Sequence, residues 1–381
     1  MEKKKILIRI GSLRHGGAEK ALITFLKNIP PNKYDIDLLL NLNSGKYLKE
    51  VPSWINVLHL FKGEMITTNR PQDILPKAYR VITQKILKIF PFLLYKFILK
   101  NKQYDIEFAA IHGFLDEILG SPQKKSKKMI WIQNDLSNIP EYTPQRIRKF
   151  FGFDKILVIS EKIQNLFLNL ARNQEEKNKI IRIYNPIDSE KILQESEVLI
   201  SFPFDNSIKT FVSVGTVFPQ KGFDRLLKVH KKLLDNGLQH HIIIIGDGYD
   251  FKNIENLIKT LQVETTVKMM GYQGNPYPFI KNGDFFMLSS RYEGYPTILF
   301  EVILLNKPII ATDVSGVQEI LQNGKLGLIV ENSEAGIEAG MRRFLTQPEF
   351  PQSYLAALKS KTLPFTLENS VNSLMKIIDE L

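Results

Sequence analysis

Short apolar runs rich in Ile, Val, Leu and Phe alternate with segments of helical periodicity along nearly the whole chain, which restricts it to parallel-sheet α/β architectures. In the first half the runs fall at 6–10, 36–40, 57–60, 106–111, 129–133 and 156–159. In the second they fall at 210–214, 241–245, 266–270, 285–288, 308–311 and 327–330. Each half reads as its own doubly wound sheet. Between them the Asn185-Pro186 step and the turn-rich stretch 201–207 break the rhythm. The 381 residues therefore divide into an N-terminal domain at 1–188, a C-terminal domain at 189–364 and a helix at 365–381. That helix is apolar at Val371, Leu374, Ile377 and Ile378. Open α/β sheets bind ligands beyond the carboxyl ends of their strands, so two such domains facing one another are expected to enclose the chemistry in a cleft.

The chain has no cysteine, which leaves no disulfide, thiolate metal site or cysteine nucleophile, and is compatible with a reducing compartment. Its opening is basic, but Arg9 interrupts the apolar run and no small-residue cleavage site follows, so export is not expected. The least polar window, 89–95, lies between Lys88 and Lys96 and is far shorter than the roughly 20 residues that a membrane span needs. Charge is uneven. Residues 1–190 hold 32 Lys and Arg against 19 Asp and Glu, whereas residues 191–381 hold 19 against 21. A basic first half suits an anionic partner, and a near-neutral second half needs only a small ligand.

Part of that excess lies in residues 78–102, which with adjoining Lys77 carry seven Lys and Arg and no acid, interleaved with Ile82, Ile86, Phe90, Phe92 and Phe97. The pattern predicts a basic amphipathic helix kinked at Pro91. It either meets an anionic membrane surface or covers the core with its basic face in water.

The densest local signal is Ser289-Ser-Arg-Tyr-Glu-Gly-Tyr-Pro-Thr-Ile-Leu-Phe-Glu301, which follows a predicted strand. Gly294 and Pro296 shape a turn, and a helix is expected from about Thr297, its free N–H groups favouring an anion such as phosphate. Glu293 lies before that helix and Glu301 one turn inside it, which would put a carboxylate on either side of a bound phosphate.

This Glu-x7-Glu arrangement resembles that of the retaining, nucleotide-sugar-dependent glycosyltransferases of family 4, which have the GT-B fold. The resemblance runs over nearly the whole chain and is strongest at 211–319. It implies two Rossmann-like domains facing across a cleft, with the C-terminal helix returning to the first. It also implies that Glu293 contacts the donor sugar and that the turn of Gly294, Tyr295, Pro296 and Thr297 surrounds the diphosphate, Pro296 having no N–H to give. By the same resemblance Glu301 is expected to hold the ribose hydroxyls. A carboxylate accepts from two vicinal hydroxyls at once, which suits both glutamates.

Three further segments add to the resemblance. Val214-Gly-Thr-Val-Phe-Pro-Gln-Lys-Gly222 is similar to the family's Gly-Arg-x4-Lys-Gly loop, with Lys221 at the lysine and Thr216 where the family has arginine. Thr216 gives one hydrogen bond but no charge, so the diphosphate should lean on Lys221, the helix amides and Arg291. Ile10-Gly-Ser-Leu-Arg-His-Gly-Gly-Ala-Glu19 is similar to the family's Gly-Gly-Ala-Glu loop, which implies that Gly16 and Gly17 let the backbone approach the donor phosphates. Gly271-Tyr-Gln-Gly-Asn-Pro-Tyr277 flanks the base in relatives. On the acceptor side, His112 ends a strand and Asp135 closes Trp131-Ile-Gln-Asn-Asp135, where the family usually has His in place of Gln133. Either is a packed residue or helps to orient the acceptor hydroxyl or donor sugar.

Other signals fail. Asp35-Ile-Asp37 spells a metal motif of other glycosyltransferases but opens an apolar run without further ligands; His240-His241 lacks carboxylates at ligand spacing; and Gly246-Asp-Gly248 lacks the third glycine of a dinucleotide loop. No metal site, resident cofactor or nucleic-acid module is expected. The resemblance implies a nucleotide-diphosphate sugar, UDP-linked, as co-substrate, although the residues themselves do not separate uridine from guanosine or adenosine. It implies a glycan or polyprenyl-linked acceptor in cell-envelope polysaccharide synthesis, and a cytoplasmic enzyme peripheral at the inner face of the membrane. Two rival readings stand beside it. One is a nucleotide-sugar epimerase or hydrolase of the same fold, and the other a non-catalytic partner of a transferase, which the Thr216 departure favours.

Overall fold

In the computed structural model of the protein, the described residues are 2–14, 16–63, 66, 70–202, 204–205, 207–361 and 366–381. His15 of the Gly-rich turn, Pro203 and Asn206 of the turn-rich stretch, and the expected domain end at residue 364 lie outside them. The chain divides into two compact units, Met1–Pro186 with Leu367–Leu381, and Ile187–Thr366.

The first unit holds β1 (Lys4–Ile10), β2 (Tyr34–Asn43), β3 (Asn56–Lys62), β4 (Ile106–Ala109), β5 (Lys127–Ile132), β6 (Lys155–Val158) and β7 (Ile180–Arg182), in the order β3-β2-β1-β4-β5-β6-β7. The second holds β8 (Thr210–Val214), β9 (His241–Ile245), β10 (Val267–Met269), β11 (Phe285–Leu288), β12 (Ile309–Thr312) and β13 (Leu328–Val330), in the order β10-β9-β8-β11-β12-β13. Every pairing is parallel. Both sheets are thus Rossmann-like and doubly wound, with their order reversing between β1 and β4 and between β8 and β11. Helices cover parallel strands on both faces, which is why β9 and β11 read as almost unbroken apolar runs.

The apolar run 106–111 yields a strand only to Ala109, because the chain then tightens into a 3-10 turn at His112–Phe114. β7 escapes the sequence pattern. Its three residues lie at the sheet edge and give too little alternation to register.

Two buried charged residues of the first unit, Arg9 and Asp37, are paired. Arg9, fully buried, gives hydrogen bonds to Glu117, to the Leu39 carbonyl at 2.6 Å and to Asn41 at 2.8 Å. Asp37 accepts from the Tyr104 hydroxyl at 2.5 Å and from Asn56 at 2.8 Å, a structural use for the Asp-x-Asp pair. In the second unit the buried imidazoles of His230 and His240 meet at 2.7 Å.

Five helices matter below: α1 (Gly17–Asn28), α2 (Pro71–Ile89), α3 (Phe223–Asp235), α4 (Ile298–Leu304) and α5 (Leu367–Glu380). α5 packs on the first unit. Lys4 Nζ donates to the Ile378 carbonyl at 2.8 Å and the Tyr34 hydroxyl to Asp379 at 2.8 Å.

The basic helix expected at 78–102 begins earlier and stops earlier, as α2. Phe90 leaves helical geometry with φ −121° and ψ 70°, and Pro91, which disfavours helix in the residue before it, opens a new turn that passes into a π-helical stretch at Leu94–Ile98. The expected kink is a termination. α2 does not cover the core with its apolar side either. Its half-buried residues are Asp73, Lys77, Arg80, Thr83 and Leu87, whereas Leu75, Ile82 and Ile89 on the opposite side point outward. Arg80 donates to the Lys62 carbonyl at 2.9 Å, Lys88 lies 3.4 Å from Asp116, and Leu87 packs against the buried cluster that includes Leu7, Leu39, Leu94 and Tyr95. None of its 19 residues is buried, and no helix among the described residues is long and apolar enough to cross a membrane.

Candidate active site

The loops after β8 and β11, neighbouring strands at the reversal of the second sheet, together with the helix that follows the second loop, carry eight of the residues singled out above. Gly222 carries the first loop into α3 with φ +67°, and a Cβ there would lie 2.2 Å from the Ser289 carbonyl oxygen, so the two loops touch through backbone at a place where only glycine fits. Across that contact Ser289 Oγ donates to the Lys221 carbonyl at 2.9 Å and the Arg291 N–H to the Gln220 carbonyl at 2.7 Å.

Two residues that sequence reasoning missed secure the second loop from beneath. Arg225, buried on α3, donates to the Ser289 and Ser290 carbonyls and to Asn332 Oδ1, each at 2.7 Å, while Asn332 Nδ2 donates to the Arg291 carbonyl at 2.8 Å. Burial of the guanidinium lowers the Arg225 pKa. A charged residue on the apolar side of an amphipathic helix was the available signal.

On this scaffold Lys221 and Glu293 form an ion pair, Nζ to Oε1 at 2.6 Å, and the same Oε1 accepts from Ser290 Oγ at 2.6 Å. Glu293 is 8% exposed. The stem of Lys221 lies along Gly215, where a Cβ would stand 3.2 Å from its Cε. Arg291 is held elsewhere. Its guanidinium grips Asp224 through two contacts of 2.7 Å and donates to the Pro219 carbonyl at 2.7 Å, and these hydrogen bonds raise the arginine's pKa and lower the aspartate's. Gly294, Tyr295 and Thr297 form the turn that enters α4, with Thr297 as its cap. The Tyr295 side chain is buried against Phe300, which leaves only its backbone to meet a ligand. Glu301 lies in the first turn of α4, almost buried, and Thr216 is half-buried in the loop after β8.

The reversal of the first sheet holds the other candidates. Gly16 caps α1 and Gly17 begins it. A Cβ at Gly16 would fall 2.2 Å from a Glu19 carboxylate oxygen, so the glycine makes room for that carboxyl, whose pKa burial raises. His112 follows β4. Burial pushes its pKa down to about 4, its Nδ1 has no hydrogen-bond partner among the described residues, and its ring meets the edge of Tyr142 at 5.2 Å. It is a neutral imidazole with an unused nitrogen. Asp135 closes a turn by accepting from Ser137 N at 3.0 Å and pairs with Lys162 at 2.8 Å. Burial raises its pKa, but the hydrogen bonds from Lys162 and Ser137 outweigh it and hold the carboxyl below the ordinary value. Behind it Asn185 donates to Gln133 at 3.2 Å, and Gln133 Nε2 and Asn185 Oδ1, both buried, have no partner among the described residues. In the sequence Asn185 stands out only as part of the structure-breaking Asn185-Pro186 step. Among the described residues no group of three His, Cys, Asp or Glu is placed to hold a metal ion.

Residues 199–359 match the family described as glycosyl transferases group 1. An uncharacterized glycosyltransferase of Haemophilus influenzae is 24% identical over 350 residues, which cover 90% of this chain and 90% of the relative. The N-acetylgalactosamine-N,N'-diacetylbacillosaminyl-diphospho-undecaprenol 4-alpha-N-acetylgalactosaminyltransferase of Campylobacter jejuni is 24% identical over 386 aligned positions, covering 95% of this chain and 96% of that one. Among solved structures, Anabaena HepE in complex with UDP and glucose superposes with a TM-score of 0.72 at 16% identity, over 99% of this chain and 100% of that one. The chain is therefore a glycosyltransferase with the GT-B fold, whose residues 199–359 form a domain of the group 1 glycosyl transferases.

Proposed function

We propose that the protein transfers a hexose-type sugar, with retention, from a UDP-linked sugar to a glycan or polyprenyl-linked acceptor in cell-envelope polysaccharide synthesis. The observation that carries this reading is the Lys221–Glu293 pair at the reversal of the second sheet, one cation and one carboxylate positioned side by side at 2.6 Å where α/β sheets bind ligands. Lys221 neutralises the departing diphosphate, and Glu293 accepts from hydroxyls of the donor sugar. Glu301 accepts from the ribose hydroxyls, while Gly294, Tyr295 and Thr297 offer backbone N–H groups to the phosphates and Thr216 one hydroxyl. Arg291 acts through Asp224 as a brace on the two loops. In the first unit Gly16 and Gly17 admit the phosphates, and His112 and Asp135 orient the acceptor hydroxyl or donor sugar. The acceptor oxygen bonds to the anomeric carbon as the bond to the diphosphate breaks, and the leaving phosphate oxygen takes the acceptor's proton on the same face. Neither glutamate becomes a covalent nucleophile.

The UDP and glucose bound by HepE and the diphospho-undecaprenol and alpha linkage in the Campylobacter enzyme's name support the donor, acceptor class and stereochemistry. The reading includes a cytoplasmic, peripheral position at an anionic membrane face. Thr216 at the family's arginine position favours a second reading, a non-catalytic partner of another transferase. A thermal-shift screen of nucleoside diphosphates and nucleotide sugars, followed by NMR of the product's anomeric configuration, tests both. Stabilisation by UDP and an alpha product support the proposal. No response to any nucleotide overturns the proposal and favours the partner protein.

A further inference from the structure

We infer that α2 is a membrane-docking helix whose apolar side inserts into the interfacial region of an anionic bilayer. This deepens the peripheral placement proposed above but rests on independent observations. A helix laid on a globular unit ordinarily turns its apolar side inward. α2 does the reverse. Leu75, Ile82, Ile86 and Ile89 recur at helical spacing on the side away from the unit, with Leu75 79% and Ile89 68% exposed, while Arg80, Lys88 and Leu87 fasten the other side to the protein. At and past the break the rings of Phe90, Phe92 and Phe97 are exposed as well, with Phe90 and Phe92 edge to face at 6.3 Å. The patch is a row of large side chains in water on a helix about 28 Å long.

Charge decides the occupant. From residue 74 to 104 there is no acid. Lys85 is exposed between Ile82 and Ile86, Lys96 stands over the Phe97 ring at 5.5 Å, and Lys100 is exposed. Lysines so placed extend their stems over apolar surface and reach phosphate headgroups while the neighbouring side chains enter the acyl boundary. A second copy of the chain meeting this patch across a two-fold axis would set the lysines against themselves. An anionic lipid surface supplies both apolar depth and negative charge.

The test is co-sedimentation of the full chain with vesicles of phosphatidylcholine containing about one-third phosphatidylglycerol, and with phosphatidylcholine alone. The wild type should sediment with the anionic vesicles and not the neutral ones. The triple variant Leu75→Ser, Ile82→Ser, Ile89→Ser should lose binding. Lys85→Gln with Lys96→Gln should weaken it roughly thirtyfold. All five positions are exposed, so the unfolding midpoint should be unchanged and reports that each variant folds. Absence of wild-type binding to anionic vesicles overturns the inference, as does unchanged binding by the folded triple variant. So does concentration-dependent self-association that the triple variant abolishes without any vesicle binding. The thermal response to UDP is measured on the same samples, so failure of docking and failure of the nucleotide-sugar reading are seen separately.

Discussion

Lys221 Nζ and Glu293 Oε1 lie 2.6 Å apart although 72 positions of chain separate them, and both belong to loops that leave adjacent strands of the second sheet. In the free protein each holds the other in place, so in the proposed roles little reorganisation would be left for the reaction. Lys221→Ala should lower kcat/KM roughly 100- to 1,000-fold, with most of the loss in kcat. Steady-state kinetics with a UDP-sugar check this. A change confined to KM would place the lysine's effect on donor binding instead.

Glu301 is assigned to the ribose, away from the bond that breaks. Glu301→Gln should therefore weaken UDP binding about tenfold to a hundredfold, the worth of a charged hydrogen bond, and leave kcat at saturating donor close to the wild type. Isothermal titration with UDP, paired with kcat, separates this from a role in the chemical step.

Thr216→Arg adds a cation to the loop after β8. Tighter UDP binding by about tenfold is expected, since a guanidinium meets a phosphate with two hydrogen bonds and a full charge. Unaltered or weaker affinity in a folded variant would show that position 216 does not face the diphosphate.

Gly222→Ala meets two obstacles, a left-handed backbone at φ +67° and the Ser289 carbonyl 2.2 Å from the new carbon. Stability should fall by roughly 1–3 kcal/mol, read from urea unfolding. Transfer activity should fall further than stability, because the shifted backbone separates Lys221 from Glu293.

Burial pushes the imidazoles of His230 and His240 down to about 3 and about 4, so both are neutral in the folded protein at neutral pH. The unfolded chain binds those protons first. Their contribution is complete above about pH 6.5 and is lost as pH falls toward 4, at no more than about 1.4 kcal/mol per pH unit for each group. Urea midpoints measured across this range should decline on acidification; a flat profile would contradict the buried, neutral state.

Much of this architecture is legible in the amino acids because parallel strands buried on both faces announce themselves as apolar runs. β8, β9 and β11 are found at their sequence-predicted limits. β7 is not, since three edge residues carry no period. Side-chain commitments are harder to read. Nothing in the order of residues reveals that Arg225 would meet Asn332 across 107 positions, or that Arg291 would be bound to Asp224. Periodicity finds the apolar side of α2, but only the backbone's path shows that this side points away from the protein.

The return of α5 to the first unit sets an order on synthesis. Residues 187–366 leave the ribosome before Val371, Leu374, Ile377 and Ile378 can seat against strands that emerged near the start. The first unit must wait with an uncovered seam while the second is completed, so its final closure is among the last events in the maturation of the nascent chain.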